Sequence, residues 1–320
     1  PSAPPKPPTP PSPAAGSTPV PATAAATTAA PQAPRRKADE IVLSPAQLKD
    51  LMAGGRADEA YDLNSLPFED NRWYEEVFNE DYLRLLPHDL TQQTEREVNF
   101  VANNLGLSPN SRVLDLGCGF GRHTIELSRK GFDMVGLDLS MPLLQRALAD
   151  AQRRNLVIKF IHGDMRQLNF DAIFDGVICL HTSFGYFNDQ ANFKVLQGIY
   201  RALKPGGRLL IETINRDFIA EGLPMRVWWS GTECLVLEEI DLHPMHSILQ
   251  VKRSIVFDDH SRAPWEQHMN TRLYSSHEMG ALMRRAGFRV LDLSGDFSHP
   301  SCFFGNASKR VILLAERPAR

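Results

Sequence analysis

The sequence predicts an α/β fold: a doubly wound, mainly parallel sheet with helices on both faces. It ends in an antiparallel last strand, and a small antiparallel β insertion follows strand five. Three observations predict it. Between Arg112 and Ile214 short apolar runs alternate with helical patterns, as βαβ units require. The first run, Val113-Leu114-Asp115-Leu116, passes directly into Gly117-Cys118-Gly119-Phe120-Gly121, a glycine turn between strand and helix. Beyond Glu233, strand-like runs follow one another with little helix between them.

Taken in order, residues 1–40 are dominated by Pro, Ala, Thr and Ser, and 12 of the 23 prolines precede Arg35. So little apolar surface cannot offset the entropy of ordering, and a disordered tail is expected there. Residues 41–105 are expected to form N-terminal helices that serve as a lid. One starts at Ser44-Pro45, with serine at the cap and proline in the first turn. A second covers 73–86, where Trp73, Val77, Phe78, Tyr82 and Leu85 fall at helical spacing. A third covers 91–105, with Val98, Val101 and Ala102 on its apolar side.

Residues 106–320 read as the main domain. Strands are expected at 112–116, 133–138, 157–162, 174–180 and 208–214, and helices at 123–130, 141–154 and 192–203. Lys204-Pro205-Gly206-Gly207 reads as a helix stop and turn. The insertion, at about 230–274, offers strands at 234–240, 247–257 and 265–274, with Asp258-Asp259-His260-Ser261 as a turn. A helix at 276–286 and strands at 289–293 and 310–315 close the chain. No helix joins the last two strands, which makes them antiparallel neighbours.

The composition bounds the function. The chain is 42% hydrophobic and 23% charged, with a formal net charge of −3. It offers no basic footprint for nucleic acid, and no apolar run approaches the length of a membrane span. Cys118, Cys179, Cys234 and Cys302 lie far apart without CxxC spacing, so neither a metal site nor a disulfide framework is expected. A reducing, cytoplasmic setting fits that usage.

The glycine turn carries the chemistry. A dinucleotide site reads GxGxxG and seats a pyrophosphate on a helix N-terminus. Here the spacing is acid-x-Gly-x-Gly-x-Gly, over Asp115, Gly117, Gly119 and Gly121. The acid would repel a pyrophosphate and suits a positive group such as an ammonium. A second apolar run, Met134-Val135-Gly136-Leu137, ends in Asp138, placed to accept hydrogen bonds from ribose hydroxyls. An amino acid joined to a nucleoside without phosphate describes S-adenosylmethionine.

At these residues the chain resembles the class I S-adenosylmethionine-dependent methyltransferases. The matching blocks are LDLGCGFGRHTIELSRKGFDMVGLDLS at 114–140, HGDMRQL at 162–168, FDGVICLHTSFGYF at 174–187 and LKPGGRLLIET at 203–213. Within the class the chain looks most like small-molecule enzymes such as the amino-sugar N-methyltransferases. The resemblance implies a Rossmann-like seven-stranded sheet with its last strand antiparallel. It also implies that Asp115, Gly117 and Gly119 line the methionine end of the cofactor, with Cys118 among them. Asp138 would hold the ribose, with Leu139 beside it, and Asp164-Met165 would flank the adenine. Leu180, at the end of strand four, would lie against the cofactor, and Tyr82, on a preceding helix, would close over its carboxylate end.

Methyl transfer from a sulfonium is an in-line displacement, governed mainly by proximity and orientation. The expected acceptor is a small-molecule amine or hydroxyl, and an acceptor that arrives protonated needs a base. His181, directly after strand four, is the candidate for a base or an acceptor orienter. Tyr186, Asn215, Arg216, Trp228-Trp229 and His268 are further acceptor-side candidates, though packing or turn roles account for them at least as well. The insertion could pair with a second copy across a two-fold axis to make a homodimer. Two readings from other classes stay open: a non-catalytic S-adenosylmethionine-binding or interaction protein, and an NAD(P)-dependent oxidoreductase, for which the glycine spacing is wrong.

Overall fold

The computed structural model describes residues 72–87, 90–258 and 263–319. The expectations for the tail at 1–40 and the helix at Ser44-Pro45 lie outside these residues, as does most of the turn expected at 258–261.

The main sheet has seven strands in the order β10-β11-β5-β4-β1-β2-β3. These are β1 (Arg112–Leu116), β2 (Asp133–Asp138), β3 (Lys159–His162), β4 (Phe174–Cys179), β5 (Leu203–Ile214), β10 (Arg289–Ser294) and β11 (Arg310–Glu316). β11 runs antiparallel to both β5 and β10, and the other neighbours are parallel. The helices are α1 (Trp73–Val77), α2 (Leu90–Asn104), α3 (Arg122–Arg129), α4 (Met141–Arg153), α5 (Asp189–Ala202), α6 (Arg216–Ala220) and α7 (Ser276–Arg285). Among the described residues no helix is long and apolar enough to cross a membrane.

The period-2 alternation of the strands divides the core into two layers. Leu114, Leu116, Val135, Leu137, Val177, Leu209 and Ile211 face Val195, Leu196 and Ile199 of α5 and Met279 and Met283 of α7. Val113, Met134, Ile178 and Leu210 face Val98 and Val101 of α2 and Ile125 of α3. Because the parallel strands are covered on both sides, their sequences read as nearly continuous apolar runs.

Four local expectations are corrected. The helix expected over 73–86 stops at Val77; Asn79 then accepts the Asp81 amide and caps a 3-10 turn, Glu80–Arg84, which carries Tyr82. β3 begins only at Lys159, and Val157 is fully exposed. β5 extends back through Lys204-Pro205-Gly206-Gly207, where its pairing with β4 shifts register and Gly206 takes φ +80°. The insertion has four strands rather than three, in the order β6-β7-β8-β9: β6 (Met225–Gly231), β7 (Cys234–His243), β8 (Ile248–Phe257) and β9 (Trp265–Arg272). β6 is an edge strand with little burial, so it lacks the alternation that marks a strand in sequence.

The insertion grips the segment before the main domain. Leu85 packs with Val236, Ile255 and Phe257, and Trp229 Nε1 donates to the Leu85 carbonyl at 2.6 Å. The Arg84 carbonyl accepts the Thr232 amide at 2.7 Å. At the other edge, the Arg272 amide donates to the Gly185 carbonyl at 2.7 Å, joining β9 to the loop after β4. Gly185 has φ +114°, and a Cβ there would overlap the Arg272 carbonyl oxygen. Gly185→Ala is therefore expected to destabilise the protein by about 2–4 kcal/mol, from backbone strain and overpacking together. Urea unfolding measures this, and a loss under about 0.5 kcal/mol would remove the junction from the list of stabilising contacts.

Candidate active site

In an open α/β sheet, loops diverge where the strand order reverses, and a crevice forms at the strands' carboxyl ends. Here that point lies between β1 and β4. A cavity of about 500 Å³ opens there. It is lined by the residues expected to hold the cofactor and by His181: Asp115, Gly117, Cys118 and Gly119 after β1, and Asp138 and Leu139 after β2. Asp164 and Met165 after β3, Leu180 and His181 after β4, and Tyr82 from the 3-10 turn complete the set.

The glycine turn is built by backbone conformation. Gly117, Gly119 and Gly121 have φ of +76°, +53° and +77°, the left-handed region that side chains disfavour. At Gly117 a Cβ would also come within 2.9 Å of Ser183 Cβ. The turn is fastened to β2: the Gly117 amide donates to the Leu137 carbonyl at 2.8 Å and the Gly119 amide to Asp138 Oδ2 at 2.7 Å. Asp138 Oδ1 accepts the Ser140 amide at 2.8 Å, and Ser140 caps α4.

Asp115 and Asp138 set the electrostatics. Asp115 is 2% exposed, and Thr124 Oγ1 donates to its Oδ2 at 2.6 Å. Burial pushes the Asp115 carboxyl up to about 6, against the Thr124 hydrogen bond and with help from the negative Asp138. Burial raises Asp138 as well, against the amides of Ser140 and Gly119. Among the described residues neither acid sits in an ion pair. A dry, negative wall beside left-handed glycines fits a ligand with a cationic amino-acid end and hydroxyls, and it does not fit a pyrophosphate. Asp164 is already engaged: its Oδ2 accepts Arg166 Nε at 2.9 Å and Nη2 at 2.6 Å. Arg166 in turn lies over the Phe187 ring, 4.4 Å from its centroid.

The other side of the cavity begins where β4 ends. His181 and Thr182 both have φ +55°, a strained conformation for residues with a Cβ and most of all for the β-branched threonine. It is over-determined by its partners. The His181 amide donates to Glu212 Oε2 at 2.6 Å, and Thr182 Oγ1 accepts the Ile214 amide at 3.1 Å. Glu212 is fully buried and paired with Arg310. Phe78, Tyr82 and Tyr186 form an aromatic wall, with Phe78–Tyr82 centroids 5.0 Å apart and Phe78–Tyr186 stacked at 5.9 Å. Burial pushes the hydroxyls of Tyr82 and Tyr186 up.

Of the remaining acceptor-side candidates only Tyr186 lines the cavity. Asn215 caps α6 and holds the Gly305 and Ser308 carbonyls, and Arg216 binds Ser247. Trp228 is exposed on the edge strand, Trp229 anchors Leu85, and His268 faces outward from β9.

Sequence reasoning missed a buried cluster at the cavity's edge. Glu97 of α2 is 2% exposed. Its Oε2 meets Arg122 Nη1 and His123 Nε2, each at 2.7 Å, and its Oε1 meets Gln93 Nε2 at 2.9 Å and His181 Nε2 at 3.0 Å. Arg122 also contacts His181 Nε2 and donates to Thr94 Oγ1 at 2.8 Å. Glu97, His123 and His181 bring ligand atoms within 4.8 Å of one another, the geometry of a metal-binding group. The Arg122 guanidinium stands among them and already compensates the Glu97 charge. The available signal was a glutamate beside Val98 and Val101 on the apolar side of α2, together with Arg122-His123 directly after the glycine turn.

A family model described as a methyltransferase domain matches residues 113–207. The chain is 28% identical over 216 residues to a glycine/sarcosine N-methyltransferase of Halorhodospira halochloris, covering 65% of this chain and 77% of that protein. It is 36% identical over 152 residues to one from Parasynechococcus marenigrum, covering 47% of this chain and 53% of the relative; it thus spans only about half of that second protein. In fold it is similar to a sugar N-methyltransferase of Streptoalloteichus, with a TM-score of 0.56 at 20% identity, covering 82% of this chain and 99% of that one. With a methyltransferase domain matched at residues 113–207, over the strands and turns that build the cavity, and with these relatives, the chain is an S-adenosylmethionine-dependent methyltransferase.

Proposed function

We propose that this methyltransferase acts on a small-molecule amine, with His181 facing the acceptor. Asp115, Gly117, Cys118, Gly119, Asp138, Leu139, Asp164, Met165, Leu180 and Tyr82 would hold the cofactor. The observation that carries the reading is that His181 lines the same cavity as the Asp115 and Asp138 carboxylates, on a strained strand end that fixes its backbone. The glycine/sarcosine N-methyltransferase relatives support an amine as the acceptor class.

When bound, S-adenosylmethionine supplies a methyl group on a positively charged sulfur, open to in-line displacement by a lone pair. The chain's own work is to bind, orient and dry the site. The Asp115 carboxylate attracts the ligand's positive end, and Asp138 accepts hydrogen bonds from ribose hydroxyls on the lone pairs its amide partners leave free. Phe78, Tyr82 and Tyr186 keep out water, which would otherwise solvate the charge being lost. An amine that arrives as an ammonium has no lone pair, and His181 takes its proton. The Cys118 thiol is poorly suited to that task, because burial pushes it far up.

Asp138→Ala should weaken S-adenosylhomocysteine binding by roughly 1.5–3 kcal/mol, the scale of hydrogen bonds to a charged group. Isothermal titration measures this, and an unchanged affinity would take Asp138 out of the ribose role. The Asp115 carboxyl near 6 gives a pH dependence with a definite sign. A cationic ligand prefers the ionised acid, so affinity should fall about tenfold from pH 7 to pH 5. The ligand-free protein should respond oppositely at this group, because a raised carboxyl stabilises the fold at low pH and loses that contribution as pH rises through about 6. An affinity independent of pH over that range would assign the ligand's charge elsewhere. His181→Ala should lower kcat by about 10²–10⁴-fold on an amine acceptor found with labelled cofactor, while S-adenosylhomocysteine affinity stays within about threefold. An unchanged kcat would rule out His181 as the base.

A further inference from the structure

We propose that Glu97 is a positioning residue that fixes the His181 ring as the tautomer with hydrogen on Nε2, leaving Nδ1 bare toward the cavity. The inference rests on the reading of His181 as the acceptor-side base and adds which nitrogen does the work and what decides it.

The argument starts from a full carboxylate. Glu97 is almost completely buried, a condition that by itself opposes ionisation. Hydrogen bonds from His123 and His181 and the positive Arg122 nevertheless hold it well below the usual carboxylate range. An ionised carboxylate only accepts, at about four lone-pair positions. Four nitrogens occupy them: Gln93 Nε2 and His181 Nε2 on Oε1, Arg122 Nη1 and His123 Nε2 on Oε2. Gln93 and Arg122 can only donate there. Each histidine must therefore present Nε2–H, or its lone pair would face an anionic oxygen at about 3 Å or less.

Arg122 contests His181 alone. Its guanidinium also reaches His181 Nε2, and a guanidinium favours a bare nitrogen. That contact is made by Arg122 Nη2, while Nη1 serves Glu97 Oε2 and Thr94 Oγ1. Yielding it leaves one N–H at the cavity that Arg122 lines, whereas a bare Nε2 would set a lone pair against the anionic Glu97 Oε1, which among the described residues has only Gln93 besides the His181 ring as a donor. The other charged groups at this corner, Glu212 and Arg310, act on the His181 main chain through its amide and leave the ring edge free. His181 Nδ1 makes no hydrogen bond among the described residues, and the side chain is 35% exposed where it lines the cavity. An Nδ1 lone pair on that edge can accept an ammonium proton from an acceptor. The opposite tautomer would offer N–H and could not.

The test is a long-range proton–nitrogen NMR correlation on ¹⁵N-histidine-labelled full-length protein, with His181 assigned by its loss in His181→Gln. Wild type should give His181 as Nε2–H with an unprotonated Nδ1, and Nδ1–H would overturn the proposal. In Glu97→Gln, which keeps the side-chain shape, His181 should become a tautomer mixture. An unchanged Nε2–H signal there would also overturn it. S-adenosylhomocysteine affinity within about threefold of wild type reports that the variant is folded, and the wild-type measurement stands even if it is not. With an acceptor in hand, Glu97→Gln should lower kcat about a hundredfold at near-constant KM, with a displaced kcat–pH profile. Activity retained in His181→Ala would defeat the base reading, whereas the tautomer is read without any turnover.

Discussion

Asp138 accepts the Gly119 amide with one carboxylate oxygen and the Ser140 amide with the other, at 2.7 and 2.8 Å. One partly buried acid thus ties the turn after β1 to the start of α4. The three left-handed glycines follow from this demand, because the chain has to leave β1 and still aim its amides at the end of β2. Asp115, two residues before the turn, adds a second acid, this one buried and in no ion pair among the described residues. Keeping it ionised costs on the order of 3 kcal/mol, from a carboxyl displaced from 3.8 to about 6. The fold tolerates this cost in a place where a cationic ligand can remove it.

The second half of the cavity is organised by different means. No glycine turn follows β4; strain at His181 and Thr182 bends the chain, and the buried Glu212–Arg310 pair on β5 and β11 holds it there. The antiparallel last strand therefore contributes to this bend through Arg310, which pairs with Glu212. The two halves are independent in construction. The end of the cavity at β1 and β2 relies on main-chain amides and left-handed glycines, and the end at β4 on side chains from α2, α3 and β4.

Much of this was legible in the sequence, for identifiable reasons. Parallel strands covered on both faces are continuous apolar runs, and their carboxyl ends are where an α/β sheet gathers its ligands, so Asp115, Asp138, Asp164 and His181 could be placed together without coordinates. Glu97 could not, because an acid on a helix looks the same in sequence whether it faces solvent or four nitrogen donors. Its partner His181 lies 84 residues further on. β6 escaped notice because an edge strand with Arg226, Val227 and Trp228 exposed has no alternating pattern to read. The break after Val77 turned on one asparagine, Asn79, whose side chain offers the backbone an alternative to the helix.

The segment that carries Phe78 and Tyr82 over the cavity is clamped on both sides. Ser140 Oγ donates to the Phe78 carbonyl at 2.5 Å, and Trp229 reaches the Leu85 carbonyl from the insertion. It is a strap buckled to two separate bodies rather than a loop free to flap. A molecule that leaves beneath it has to break packed contacts on the main domain, on the insertion, or on both. Such an exit would show the steep temperature dependence of local unfolding, and solvent viscosity would influence it little.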